Sequence, residues 1–287
     1  MEEIQQLLKK NRPNLSESSI ITYTSMMKNL MKKMDKDIKF ILKNPSKVIE
    51  FLKDKNQHTR KSMLAMLVSL TDDDRFREEM MKDAAEMKDQ LEKQERTDKQ
   101  KENWMDWSEV VDHYNMMYKR TFPLLKKEKL NTKEMDEMVD LLLLSFYVLI
   151  PPRRSQDYAN LKARNFDDKV DNYVSKGKLY FNKYKTQKFY GKQDVPMPPK
   201  LKTLISKWMT KHDNDYVLFD KAGKPLTNVK ITNRLNRIFG KKISSSMLRH
   251  IYLSFKFKDA PTLLEMKDLA EDMGHSISEQ GTYIKHK

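Results

Sequence analysis

The chain has 287 residues with a formal charge of +15, and it contains no cysteine. That length suits one large domain or two ordinary ones. The missing thiols exclude a disulfide scaffold, a thiolate zinc site and a cysteine nucleophile. The longest apolar run, Leu141 to Ile150, is far short of a membrane span, and the first residues lack the basic start and apolar stretch of a signal peptide. A soluble, intracellular protein is expected, located wherever its partner is.

In chain order, helical periodicity dominates. Ser16 and Ser18 are N-cap candidates for a helix with apolar positions Ile20, Tyr23, Met27, Leu30, Met31 and Met34. Asn44-Pro45-Ser46 starts a second, with Val48, Ile49 and Leu52 on one face. A third runs from Thr59 through Leu70, and a fourth follows the acidic turn Asp72-Asp73-Asp74. These predict a helical domain over residues 1–85. Its methionine stripes read as flexible core filler. Residues 86–104 are polar with mixed charge and predict a linker or exposed helix tail.

A larger unit, residues 105–287, follows. Its first helices are predicted at 107–119 and 133–150, the second apolar all round at its end and stopped by Pro151-Pro152. The period then changes: Lys178–Thr186 and Gln193–Pro198 predict two short strands, with Tyr190-Gly191 in the turn between them. Further helices are predicted at 198–212, 226–239, 244–257 and 262–273. The expected fold is mainly α, with a small β-hairpin or sheet in the second unit.

The charge is not evenly spread. Residues 151–258 hold 25 Lys/Arg against 8 Asp/Glu, whereas the remainder holds 31 against 33. The whole excess therefore lies in one segment. Such a block marks either a surface for a polyanion, with nucleic acid the leading candidate, or a solvated lysine-rich face.

Three short stretches carry the candidate chemistry: Pro151-Pro152-Arg153-Arg154 with Asp157 after it, Ser244 to His250, and Gly274-His275-Ser276 with Tyr283 after it. Each alone is an ordinary turn or packing motif. In this order on a helical background, residues 105–287 resemble the catalytic domain of tyrosine recombinases, the family of phage integrases and related invertases and resolvases. The Pro-Pro-x-Arg form is most similar to integrases of large DNA viruses, virophages and related eukaryotic mobile elements. The first domain is similar to the family's helical core-binding domain.

The resemblance implies a C-shaped clamp on DNA, with Arg154 as the first arginine and Arg153 as the alternative. Asp157 and Leu161 then fall where the family has an acidic and an apolar residue. Lys185 matches the hairpin lysine, with Lys188 as runner-up. Arg249 matches the second arginine, His275 the late histidine and Tyr283 the nucleophile. Ser246 departs from the pattern, since the family places His or Lys there. His250 does not simply inherit that role, because an adjacent helical residue points about 100° away. Only four residues follow Tyr283, so the C-terminal exchange helix of many relatives is expected to be absent, made differently or lost by truncation.

The implied reaction is DNA cleavage and rejoining through a 3′-phosphotyrosine, without metal or other cofactor, by a homo-tetramer on two double-stranded DNA sites. Two arginines would clamp the non-bridging phosphate oxygens. A lysine would protonate the leaving 5′ oxygen. Lys183, Lys188, Lys192, Arg234, Arg237, Lys241 and Lys242 are candidate phosphate contacts, which give affinity rather than sequence choice. A type IB topoisomerase and a degenerate DNA-binding relative are the competing readings.

Overall fold

The computed structural model describes residues 2–272. They form two compact units, residues 2–95 with 261–272, and residues 96–260. Among the described residues no helix is long and apolar enough to cross a membrane.

The first unit is all helical. Its helices are α1 (Glu2–Asn11), α2 (Glu17–Met34), α3 (Ile38–Lys43), α4 (Pro45–Leu52), α5 (Gln57–Thr71) and α6 (Asp74–Glu92). The starts follow the local chemistry. Ser16 accepts from the Ser19 N–H, Asp37 from Phe40, Asn56 from Thr59 and Asp73 from Arg75, each satisfying an orphan donor of a first turn. Helix α5 is central, with Met63, Leu64, Met66, Leu67, Val68 and Leu70 all buried against Leu8, Met27, Leu30, Ile41, Leu52 and Phe76. Its polar start is tied to α6 by Arg60, whose Nε and Nη2 donate to buried Asp83 at 2.8 and 2.7 Å. Helices α1 and α3 lie outside the four expected in this domain.

The polar stretch 86–104 carries the end of α6 and the short α7 (Asp98–Asn103), which opens with a reciprocal capping box between Thr97 and Gln100.

The second unit continues with α8 (Trp107–Thr121), a 3-10 turn at Phe122–Lys126, α9 (Thr132–Val148) and α10 (Ser155–Ala159). Strands β1 (Tyr173–Ser175), β2 (Lys178–Phe181) and β3 (Gln193–Pro196) follow, with α11 (Gln187–Tyr190) between the last two. Helices α12 (Pro199–Met209), α13 (Asn228–Phe239) and α14 (Ser245–Lys256) complete it. Helix α9 is capped by Asn131 and Glu134 reciprocally, and from Met138 to Tyr147 every residue is buried. It is the axis on which α8, α12 and α13 pack. Tyr158 on α10 stacks on Phe146 at 4.8 Å, which fixes α10 against the end of α9.

The sheet is antiparallel in the order β1-β2-β3, with Tyr173 opposite Tyr180 and Tyr180 opposite Asp194. The expected strand Lys178–Thr186 stops at Phe181. There the Asn182 N–H donates to the Asn172 side chain at 2.8 Å, and the Asn182 amide donates to the carbonyls of Asp168 and Asp171. These bonds draw the chain out of the ladder. Lys185 therefore sits in a loop rather than in a strand.

Helix α15 (Leu263–Asp272), which sequence places with residues 105–287, belongs to the first unit. The Leu263 N–H donates to Gln94 at 2.8 Å, and Lys267 pairs with Glu92 at 3.2 Å.

Candidate active site

Helix α9 ends at Val148, and Pro151-Pro152 prevents it from resuming. The chain leaves in extended conformation and delivers Arg153 and Arg154 to the start of α10, where Arg154 is the N-cap residue with φ −69° and ψ 147°. Arg249 reaches the same place from α14. That helix is N-capped by Ser244, whose Oγ accepts from the Met247 N–H at 3.3 Å, and it buries Met247, Leu248 and Ile251. Burial on that face leaves half-buried Arg249 on its flank. Arg153, Arg154, Asp157, Tyr184, Gln193 and Arg249 line one cleft of about 390 Å³.

The two neighbouring arginines do different work. Arg153 Nε donates to Asp157 Oδ2 at 2.9 Å, and its Nη2 donates to Gln193 Oε1 at 2.9 Å. Its guanidinium lies 4.1 Å from the Phe181 ring centroid and 5.3 Å from that of Tyr184. Arg153 thus joins α10 to β2 and β3. The Arg154 carbonyl accepts from the Asp157 N–H at 3.0 Å, but its guanidinium makes no hydrogen bond or ion pair among the described residues, and neither does that of Arg249. Two half-buried, unpartnered guanidiniums facing one cleft favour an anion there.

Asp157 is 3% exposed, and its Oδ1 has no hydrogen-bond partner among the described residues. Burial raises its carboxyl above the ordinary aspartate value, against opposing pulls from Arg153, Arg154 and Arg249. The Tyr147 hydroxyl, also buried, is pushed up by the same desolvation and by the charge of Asp157, against opposing pulls from Ser245 and Arg249. The floor of the cleft is therefore low in dielectric, with one carboxylate among three arginines.

The loop 182–192 forms another wall, through Tyr184, Thr186 and Tyr190. Its base is held by Asn172, a residue that sequence reasoning passed over. The Asn172 Nδ2 donates to the carbonyls of Asp157 and Lys183 at 2.9 Å each, while its Oδ1 accepts from the N–H groups of Asn182 and Lys183. Nothing in the local sequence announces this role, because every partner is distant or is backbone. Lys185 is exposed between two cleft-lining residues. Ser246 and His250 are exposed on α14 and do not line the cleft. His275 and Tyr283 lie outside the described residues.

The remaining basic candidates divide. Lys183 and Lys188 are exposed. Lys192 Nζ donates to the Asp168 carbonyl at 3.0 Å and the Tyr173 hydroxyl at 3.1 Å. Lys241 Nζ donates to the Trp104 carbonyl at 3.1 Å, and Lys242 is exposed nearby. Arg234 is committed inside the fold: its side chain is 11% exposed and bonds Asp140 at 2.6 Å and Asp136 at 2.5 Å. Arg237 shares both carboxylates, at 2.6 and 3.2 Å. Burial raises Asp140 despite both arginines, whereas at Asp136 the arginines outweigh burial and the carboxyl falls. With both carboxylates taken, Arg234 is not available to a phosphate, and Arg237 is available only in part.

No protein-family model matches the chain, and no curated protein matches it.

Proposed function

We propose that the chain is a tyrosine recombinase-type DNA strand transferase. The observation that carries this reading is the meeting of Arg154 and Arg249, far apart in sequence, in one cleft over buried Asp157, as guanidiniums with no partner among the described residues. The two arginines hold the non-bridging oxygens of one phosphodiester, whose negative charge grows in the transition state. The Tyr283 phenol releases its proton to solvent, its oxygen attacks phosphorus, the bond to the 5′ oxygen breaks, and a 3′-phosphotyrosine forms. Lys185 donates the proton that the leaving 5′ oxygen takes up, and His275 hydrogen-bonds the phosphate. The phosphotyrosine keeps the energy of the broken ester, so attack by a partner strand's 5′ hydroxyl reverses the step. Paired exchanges between two duplexes, in a homo-tetramer, complete integration of a mobile element.

Ser246 favours a second reading, a relative that binds DNA without cutting it. A serine hydroxyl stands where the resemblance calls for a proton-accepting side chain, and a tyrosine of ordinary pKa, about 10, needs either an acceptor or a strongly positive site.

The test is cleavage of a suicide duplex built from the terminal sequences of the element that encodes the chain. Arg154→Ala and Arg249→Ala should each lose cleavage while retaining most DNA binding. Lys202→Ala, an exposed lysine that does not line the cleft, should lose little. Equal losses in all three variants would reduce the arginines to general phosphate contacts and contradict the proposal.

A further inference from the structure

The loop 182–192 combines a fixed base with an unusual tip. Its base is pinned by the Asn172 bonds and by the Tyr184 hydroxyl, which donates to the Gly191 carbonyl at 2.8 Å. Its tip is the single turn α11, which buries no residue. Gly191 ends that turn at φ 64° and ψ −155°, a conformation essentially restricted to glycine, with its N–H bonded to the Gln187 carbonyl. This geometry holds Phe189 at 85% exposure, beside Tyr190 at 68%. Tyr190 itself lines the arginine cleft.

An isolated exposed phenylalanine is unremarkable in general, but here its surroundings select an occupant. The loop contains Lys183, Lys185, Lys188 and Lys192 and no acidic residue. A protein partner for so basic a tip would need a matching acidic surface around an apolar pocket. DNA offers dense negative charge and flat apolar faces together. We infer that Phe189 is a base-stacking residue that enters the duplex beside the phosphate held by Arg154 and Arg249, unstacking one base step while the lysines hold the backbone. The inference rests on the DNA-processing reading above and adds to it the element that distorts the DNA.

The experiment uses the full chain and a mixed-sequence duplex in which several adenines are replaced by a fluorescent analogue that brightens on unstacking. Wild type should bind and brighten the probe. Phe189→Ala should bind roughly 5- to 150-fold more weakly and leave the probe dark, with an unchanged salt slope because the phosphate contacts remain. Phe189→Trp should retain both signals. Phe189→Leu, which keeps apolar bulk without the ring face, should lose the brightening. Lys188→Ala should behave oppositely, lowering the salt slope by about one unit and keeping the brightening. Because Phe189 is so exposed, thermal unfolding of the variants should match wild type and so verify folding. If wild type binds DNA and Phe189→Ala binds and brightens the probe equally, the stacking inference fails while the DNA reading stands. If wild type does not bind DNA, both fail. A wild-type oligomer without DNA that Phe189→Ala dissociates would assign the tip to self-association and overturn the inference.

Discussion

Replacing Arg153 and Arg154 in turn should separate stability from catalysis at adjacent positions. Arg153→Ala removes the ion pair at 2.9 Å to Asp157, the bond to Gln193 and the stack on Phe181. It leaves a carboxylate that is only 3% exposed without its charged partner. Breaking a buried pair in this way costs about 3–5 kcal/mol, a large share of the ~5–15 kcal/mol by which domains are stable. Arg154→Ala breaks no bond among the described residues and should change stability by less than about 0.5 kcal/mol. Its effect should fall on cleavage. The pH dependence gives a second handle. Asp157 is already raised by burial, and losing Arg153 removes an opposing pull, so its folded pKa rises further above the unfolded value. A carboxyl raised on folding favours the fold at low pH, and that advantage is lost as pH rises through the folded pKa. The defect of Arg153→Ala should therefore be largest at neutral pH and shrink towards pH 4, and Asp157→Asn should recover part of it. Urea unfolding across pH, alongside the cleavage assay, measures both. Equal destabilisation by the two alanine variants, or a pH-independent Arg153→Ala defect, would refute the division of labour.

Other expectations follow from individual contacts. His212 is lowered to about 4, first by burial and then by Arg164, so its imidazole is neutral in the fold. Stability should fall as pH drops from about 6.5 towards 4, by at most about 3 kcal/mol, and His212→Asn should flatten that slope in thermal unfolding. Arg234→Ala leaves Asp136 and Asp140 with only the more exposed Arg237 as partner and should cost about 1–3 kcal/mol in urea unfolding, whereas Lys188→Ala should leave unfolding unchanged and weaken DNA binding. Asn172→Ala removes three hydrogen bonds at the base of the 182–192 loop and a fourth to the Asp157 carbonyl. It should raise amide exchange across that loop and slow cleavage more than it weakens DNA binding.

The legible parts of the chain are those whose causes are local. Helices α2, α4, α5, α8 and α9 announce themselves by apolar spacing, the first two also by the Ser16 cap and the Asn44-Pro45 start, and Pro151-Pro152 marks a stop that the fold obeys. Arg154, Asp157 and Arg249 were visible as a pattern, and they share a cleft. What was not legible depends on partners distant in sequence. Three-residue β1 and five-residue α10 are too short to show a period. Asn172 works through backbone groups of two other segments. Arg234 reads as a surface cation until Asp136 and Asp140 are seen beside it. The different tasks of Arg153 and Arg154 emerge only when Gln193 and Phe181 are brought up by the sheet. Phe189 carried a faint signal, an aromatic pair set among lysines and followed by glycine.

The central claim is that a tyrosine of this chain becomes joined to DNA. Incubating the full-length protein with a suicide duplex and resolving the products by denaturing gel tests it directly. A protein–DNA adduct that resists denaturation, is released by protease and disappears in Tyr283→Phe while DNA binding persists is the predicted result. An adduct undiminished in Tyr283→Phe, or no adduct from wild type that binds the duplex, would contradict it.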